Sequence, residues 1–449
     1  MYKLVIHGTY FSSVDENHVQ SIENALICIG DSGQVELVLS SSDPLFEEEL
    51  ARARKQDILE ELTDSQYLLP GFIDLHTHAP QWAQAGLALD LPLEKWLNNY
   101  TFPLEAHFAD EDVAKAVYDD YVQKLLSLGT TTALMFGTIH LEANLMLAKI
   151  AAKYGLRAFV GQVVMDNPDQ TPTYYRNVDY GSALSLTEKF INFMSEMQEK
   201  TGATLQPVIT PRFVPSCTDE ALAGLGELAK KYDLPIQSHV SESNWEHQYA
   251  INRFEMHDAE VLDSFNLLTD KSVMAHGTQL TVDDCSLLCK RQTAIAHCPI
   301  SNMYFGNGVL PVKSLISHHH KLGIGSDISG GYSPSIYHNL RQAVGSSQML
   351  EDGVDSRMNP QERGRDNARI TMANAFYMAT VGGGDALHLP VGKIEPGYLA
   401  DFQIVRDHPP VIGQKSSDDI FQRLMYSTEE KDIEKVYVGG KLVYKKVGE

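Results

Sequence analysis

Short apolar runs alternate with amphipathic helical patterns across the middle of the chain, and this alternation restricts the folds that the chain can adopt. Eight runs have the length and the branched side chains of buried strands, and helical patterns such as 113–127 and 221–231 separate them. The order predicts an α/β fold, a parallel (β/α)8 TIM barrel, with an open doubly wound sheet as the alternative. The eight runs are residues 71–75, 132–136, 158–164, 205–209, 236–240, 273–275, 294–296 and 322–325.

Both ends of the chain differ from this middle because they contain short β-like runs without the intervening helical patterns. Such runs lie at 3–6 and 35–39 near the start and at 401–405 and 435–444 near the end. Matching patterns at the two ends suggest that they pair into one sheet. We therefore expect a small β-sandwich domain made of residues 1–70 and 386–449, and a catalytic barrel domain made of residues 71–385.

Histidine and acidic residues occur where the predicted barrel strands end. His76 and His78 are two residues apart in a strand, so both side chains point to one face. His239, His276 and Asp327 close the fifth, sixth and eighth strands, whose C-terminal ends converge on one cavity in such barrels. Nitrogen and oxygen donors of this kind suit Zn²⁺ or Fe²⁺. The convergence predicts a metal site and favours the barrel over the open sheet, whereas scattered structural histidines are the alternative.

Glu242 follows His239 by three residues and therefore lies just beyond the fifth strand. A carboxylate that is near an ion without binding it is what a proton shuttle requires. The alternative is a glutamate that stabilises the start of a helix through the helix dipole. His297 ends the seventh strand, where it could line the cavity or make a structural hydrogen bond.

Two segments carry a resemblance to a known family. Residues 69–78, LPGFIDLHTH, are similar to the opening barrel motif of the amidohydrolase superfamily, and residues 392–401, GKIEPGYLAD, resemble its return to the small β domain. Over essentially its whole length the sequence is most similar to the branch of that superfamily that deaminates guanine to xanthine. The segments specific to that branch are residues 79–81, 90–97, 100–103, 210–213 and 326–333.

The resemblance implies a role for each candidate site residue. One Zn²⁺ per chain would be held by His76, His78, His239 and Asp327. Glu242, Asp327 and His276 would be catalytic, with Glu242 as the proton shuttle and His276 hydrogen-bonded to the hydrolytic water. The purine would be contacted by Gln81, Arg212, Phe213, His239, Glu242 and Asp327. The resemblance also implies a homodimer that acts in purine catabolism.

Charge and cysteine content restrict the partners and the compartment. A formal net charge of −23 would repel phosphate backbones and anionic lipids, so we expect no nucleic-acid and no membrane partner. A neutral or cationic small molecule is the easier substrate. Five cysteines without a C-x-x-C pair, and no apolar run near the roughly 18 residues of a membrane span, predict a cytoplasmic protein.

Two other functions remain as alternatives. The first is another amidohydrolase-type reaction on a related heterocycle, such as deamination of cytosine or of an adenine-type purine, or a hydrolytic dechlorination. The metal site does not distinguish these reactions, but segments 90–97 and 212–213 favour guanine. The second is a non-catalytic barrel scaffold, which the filled ligand positions disfavour. The loop 166–180 is interpreted either as a lid or as an interface.

Overall fold

Two sheets contain the sixteen strands of residues 2–408 and 416–447, the parts of the chain that the computed structural model describes. The strands are β1 (Tyr2–Ser13), β2 (Val19–Gly30), β3 (Val35–Leu39), β4 (Leu59–Glu61), β5 (Gln66–Pro70), β6 (Phe72–His78), β7 (Thr130–Phe136), β8 (Arg157–Val164), β9 (Leu205–Pro211), β10 (Ile236–Val240), β11 (Ser272–His276), β12 (Ala294–His297), β13 (Leu322–Ile324), β14 (Phe402–Arg406), β15 (Ile433–Val438) and β16 (Lys441–Lys445).

Helices connect these strands. The α-helices are α1 (Phe46–Lys55), α2 (Leu93–Trp96), α3 (Phe102–Ala106), α4 (Glu111–Ser127), α5 (Leu141–Tyr154), α6 (Tyr180–Thr201), α7 (Asp219–Tyr232), α8 (Asn244–Phe254), α9 (Asp258–Ser264), α10 (Val282–Arg291), α11 (Pro299–Tyr304), α12 (Val312–Ser317), α13 (Ile336–Asp352), α14 (Met372–Tyr377), α15 (Gly383–Ala386) and α16 (Ser417–Ser427). None of the helices in the described residues is both long enough and apolar enough to cross a membrane.

Strands β6 to β13 form a parallel sheet in which each strand pairs with its neighbour in sequence. The sheet curves so that its first and last strands meet. The N–H of Asp327 donates to the carbonyl oxygen of His76 at 2.8 Å, and the N–H of His78 donates to that of Ile328 at 2.8 Å. The predicted (β/α)8 barrel is therefore confirmed, and its seam places Asp327 beside the two histidines of β6.

Two apolar layers hold the barrel together. Side chains from six of the barrel strands (β6 to β9, β11 and β12), among them Leu75, Phe159 and Val208, pack with Leu387 in one buried cluster. Apolar faces of the surrounding helices pack against the strands, as the predicted helical patterns require; α7 buries Leu222 and Leu225 in this way. Polar side chains are left for the C-terminal ends of the strands, where the candidate site lies.

The remaining strands form a mixed sheet in the order β16-β15-β14-β5-β1-β2-β3, with β4 paired to β1. Antiparallel pairing of β5 with β14 joins the two ends of the chain, as predicted. One buried cluster combines Ile27 and Val35 from one end of this order with Ile404 and Tyr437 from the other, so the sheet curls around a shared core.

The domain bounds, residues 1–70 with 386–449 and residues 71–385, remain a prediction. Met1, residues 409–415 and residues 448–449 of the predicted small domain lie outside the described residues.

A buried ion pair connects the barrel to the small sheet. The guanidinium of Arg157, at the start of β8, donates from Nε and Nη2 to the carboxylate of Asp401 at 3.1–3.2 Å. Asp401 also accepts the N–H of Gly439 at 2.7 Å. The side chains of Arg157 and Asp401 are 5% and 1% exposed, so water screens this pair weakly.

Candidate metal centre and cavity

The five residues predicted from strand ends lie together at the mouth of the barrel. His76 and His78 are in β6, His239 is in β10, and His276 ends β11. Asp327 lies three residues beyond β13, in the segment that closes the barrel seam. Each of the five residues is buried. Asp327 and His276 have positive φ angles of 47° and 73°, an uncommon backbone conformation that often marks functional sites.

The side-chain donor atoms of these residues face one another at short range. Nε2 of His78 lies 3.2 Å from Nε2 of His239, and Nε2 of His76 lies 3.2 Å from Oδ1 of Asp327. The distance from Nε2 of His78 to the same carboxylate oxygen is 3.5 Å. The three histidines place one ring nitrogen each within 4.8 Å of the others. Three imidazoles and a carboxylate around one point are the donor set of a Zn²⁺-type ion.

Hydrogen bonds to the far ring nitrogens fix which nitrogen has a free lone pair. Nδ1 of His239 lies 2.6 Å from the carbonyl oxygen of Arg212, which can only accept, so Nδ1 carries the proton. Nδ1 of His276 lies 2.9 Å from Oδ1 of Asn302, an arrangement of the same kind. In both rings Nε2 is left unprotonated and turned towards the cluster. Nε2 of His76 and of His276 is buried without a hydrogen-bond partner, which fits a bound cation or its ligands.

Burial also keeps these imidazoles neutral. The pKa of His76, His78 and His239 is lowered well below the ordinary value, chiefly by desolvation and further by the neighbouring histidines. Desolvation likewise lowers the pKa of His276. A neutral imidazole is the form that binds a metal ion.

Glu242 follows β10 and approaches the cluster from its open side. Its Oε2 lies 3.7 Å from Nε2 of His276, and the same nitrogen lies 3.8 Å from Oδ2 of Asp327. Desolvation, followed by the charge of Asp327, raises the pKa of Glu242 well above that of an exposed glutamate. The carboxyl group can therefore hold a proton close to the cluster without belonging to the set of His76, His78 and His239.

A cavity opens beside this cluster. The predicted purine contacts Gln81, Arg212 and Phe213 all line it. His76 and His276 lie behind its wall, and His297 is buried without lining it. The full lining consists of His78, Gln81, Leu93, Trp96, Leu97, Arg212, Phe213, His239, Glu242, Phe305, Asp327 and Gly330.

Arg212 is paired with a buried carboxylate. Its Nη1 and Nη2 donate to the two carboxylate oxygens of Glu105 at 2.6 and 3.1 Å, and the side chains are 3% and 0% exposed. Oε1 of Glu105 also accepts a hydrogen bond from Nε2 of Gln81 at 2.9 Å, while Oε1 of Gln81 accepts the N–H of Ser329 at 3.0 Å. These bonds fix the orientation of the guanidinium and of the Gln81 amide.

The loop 166–180 packs behind the cavity lining on this side of the site. Tyr175 is fully buried and packs in one cluster with Phe102 and Phe213. The N–H of Asn177 donates to the carbonyl oxygen of Met165 at 2.7 Å, and its side chain accepts the N–H of Met165 at 3.0 Å. The middle of the loop is therefore anchored to the end of β8.

Comparison with known proteins agrees with this geometry. Residues 67–443 match the amidohydrolase family. The chain belongs to the amidohydrolase family. The predicted resemblance is confirmed by guanine deaminase of Mus musculus, to which the chain is 38% identical over 98% of its own length and 96% of that protein.

Solved structures give the same result. This amidohydrolase is similar to guanine deaminase from C. acetobutylicum with bound guanine in the active site, with a TM-score of 0.88, 30% identity, and coverage of 98% of this chain and 100% of that one. Atrazine chlorohydrolase from Arthrobacter aurescens, complexed with zinc, has a TM-score of 0.80 at 16% identity, with coverage of 98% and 94%. At that identity the second similarity shows the barrel fold alone.

Family membership shows a metal-dependent hydrolase, and the predicted hydrolytic deaminase is confirmed by these relatives. The histidine and carboxylate donors of this amidohydrolase fit such a metal.

Three residues that support the site were missed by sequence reasoning. Glu105 pairs with Arg212, and Asn302 orients His276. Asp258 accepts hydrogen bonds from the N–H and the hydroxyl of Ser241, the residue before Glu242. Each of the three lies 17 to 107 residues away from its partner, so no local pattern could have indicated it.

Proposed function

We propose that this chain hydrolyses guanine to xanthine and ammonia with one Zn²⁺ bound per chain. The observation that carries the proposal is the position of Arg212, Gln81 and Phe213 around the same cavity that three of the metal-type donors line, namely His78, His239 and Asp327. The proposal is further supported by the near-full-length similarity to guanine deaminases, one of which contains guanine in its active site.

The zinc ion would be held by His76, His78, His239 and Asp327, whose donor atoms already face one another. When bound, zinc acts as a Lewis acid that lowers the pKa of a water molecule, so that water becomes a nucleophile near neutral pH. In His239, Nε2 is already unprotonated and faces the cluster. Zinc binding to this ring would therefore need little proton release and little reorientation.

Glu242, Asp327 and His276 would move the protons of the reaction. Asp327 accepts the proton of the attacking water, and Glu242 donates a proton to ring N3, which makes C2 more electrophilic. The proton that Asp327 accepted then passes to the exocyclic nitrogen, so that ammonia leaves, and the remaining hydroxyl proton returns to Glu242 as C2 becomes a carbonyl. His276 holds the water through Nε2, which faces both carboxylates at 3.7 and 3.8 Å.

The cavity wall would recognise the purine. Arg212 has five N–H donors, and two of them are bound to Glu105, which leaves others for the acceptor O6. Phe213 offers an apolar surface for the ring, and the amide of Gln81 supplies a second polar contact. Adenine presents an amino donor in place of O6, so it cannot satisfy the guanidinium.

The deciding experiment is ultraviolet monitoring of the purified protein with guanine, adenine and cytosine in parallel. We expect turnover of guanine that exceeds that of the other two bases by orders of magnitude, and elemental analysis should give about one zinc per chain. If adenine or cytosine were turned over faster than guanine, that base would be the substrate and the guanine proposal would be wrong. Full activity in metal-free protein would contradict the zinc proposal.

The remaining expectations form part of the same proposal: a cytoplasmic homodimer without nucleic-acid or membrane partners. The five cysteines are unpaired, which supports a reducing compartment. Sedimentation analysis would test the dimer directly.

A further inference from the structure

Glu105 is a buried carboxylate that the roles described above do not use. It lies in the short helix α3, fully buried, and binds the guanidinium of Arg212 through both oxygens at 2.6 and 3.1 Å. One of these oxygens also accepts a hydrogen bond from the side-chain Nε2 of Gln81. A single negative charge therefore contacts both polar groups that line the purine side of the cavity.

The position of this carboxylate determines the charge that a ligand meets. Among the described residues lining the cavity, Arg212 is the one permanent cation, and Glu105 is not in the lining. A ligand in the cavity thus contacts the guanidinium of Arg212, whose positive charge is compensated by Glu105 on the side away from the cavity. The N–H groups of Arg212 that do not bind Glu105 remain as hydrogen-bond donors. At the short distances of a buried site a unit charge acts strongly, so this compensation changes ligand selection.

The proposed substrate and product differ in acidity. Guanine is neutral near neutral pH. Xanthine has a carbonyl in place of the amine and ionises more readily, so part of it is anionic in neutral water. An uncompensated guanidinium would hold this anion and slow product release.

We propose that Glu105 is a specificity-determining residue that selects neutral lactam purines and prevents retention of the anionic product. The proposal rests on guanine deamination as the function. It assigns a ligand-selecting role to a charge that lies outside the cavity and acts through Arg212.

The test compares the wild type with Glu105→Gln, which keeps the size of the side chain and one oxygen for the guanidinium but removes the charge. Dissociation constants of xanthine and of hypoxanthine are measured by calorimetry on the zinc-loaded protein at about pH 6 and about pH 8. Hypoxanthine also carries O6 and stays neutral over this range. The pH dependence of hypoxanthine affinity corrects for titration of the protein groups near the ligand, Arg212 or Glu105. These groups are Glu242, Asp327, His78, His239, Tyr118, His140 and Tyr175.

In the wild type the preference for xanthine over hypoxanthine should not increase between the two pH values. In Glu105→Gln it should increase about tenfold or more at the higher pH, because the xanthine anion then meets an uncompensated cation. An equal preference in both proteins at both pH values would overturn the proposal.

Further variants separate charge from structure. The double variant Glu105→Gln with Arg212→Gln is neutral again and should lose the gain in xanthine-anion affinity. If Glu105→Gln does not fold, Glu105→Asp withdraws the carboxylate by one methylene and should raise the preference severalfold. An unchanged preference in every folded variant overturns the proposal. Guanine turnover by the wild type is scored separately, so failure of the proposed function is recognised independently of these affinities.

Discussion

Among single residues, Glu242 and His239 lie three positions apart, but their substitution is expected to have different effects on zinc binding and turnover. Glu242→Gln retains the ring nitrogens and Asp327, so zinc should stay bound. Removal of the mobile proton should reduce guanine turnover by about 10²- to 10⁴-fold. His239→Ala removes a donor that lies 3.2 Å from Nε2 of His78, so metal and activity should be lost together. Zinc content and kcat of both variants check the prediction. Normal turnover by Glu242→Gln would remove this residue from the mechanism.

Arg212 provides the second prediction at this scale. Arg212→Leu would leave the buried charge of Glu105 unpaired, so it would affect folding as well as substrate binding. The cleaner change is the double variant Arg212→Gln with Glu105→Gln. Hydrogen bonds to charged groups contribute about 1.5–3 kcal/mol, so kcat/KM for guanine should fall about 10- to 100-fold with zinc retained. If the preference for guanine over adenine is unchanged in this variant, Arg212 does not read O6.

At the scale of the elements, the close approach of the segment after β13 to β6 sets the position of a ligand. A Cβ added at Gly325 would lie 2.7 Å from Cβ of His76 and 2.9 Å from Sγ of Cys298. The neighbours are a strand residue and a fully buried sulfur, so His76 must shift to make room. Gly325→Ala should therefore weaken zinc binding and lower the free energy of unfolding by about 1–3 kcal/mol.

The matched control for Gly325→Ala is Gly345→Ala. Gly345 lies inside helix α13, and a Cβ added there meets nothing within 4 Å. Alanine is the better helix former, so Gly345→Ala should keep zinc and leave stability equal or higher. Zinc titration and thermal unfolding of the two variants make the comparison. Equal zinc affinity in both variants would show that β6 can accommodate the added methyl group without displacing His76.

At the scale of the whole molecule, the pair of Arg157 and Asp401 connects the barrel to the sheet formed by the two ends of the chain. Asp401→Asn leaves a buried guanidinium without its counter-charge, which typically costs about 3–5 kcal/mol. We expect a lower midpoint of urea unfolding, with zinc content and kcat of the folded fraction unchanged because the pair does not line the cavity. Asp355→Asn, in the exposed pair of Asp355 and Arg357, should leave that midpoint unchanged.

The alternation of strands and helices could be predicted from the amino-acid sequence, and so could the end of the barrel at which the candidate site lies. Both depend on local periodicity: the spacing of His76 and His78 fixes a shared face, and the ends of parallel strands meet at one mouth. His239, Glu242 and Asp327 could be placed for the same reason. The pairing of the two terminal segments followed from their similar β-like patterns.

Contacts between groups that are distant in sequence depend on the tertiary structure and could not be predicted from local patterns. The carboxylate of Glu105 contacts a guanidinium 107 positions away, and the orientation of His276 depends on Asn302, 26 positions along the chain. The burial that lowers the pKa of His78 and raises that of Glu242 exists only once all eight strands enclose the site. Periodicity in the sequence predicts the direction in which a side chain points. Charge compensation and desolvation of that side chain depend instead on which distant residues pack around it in the folded protein.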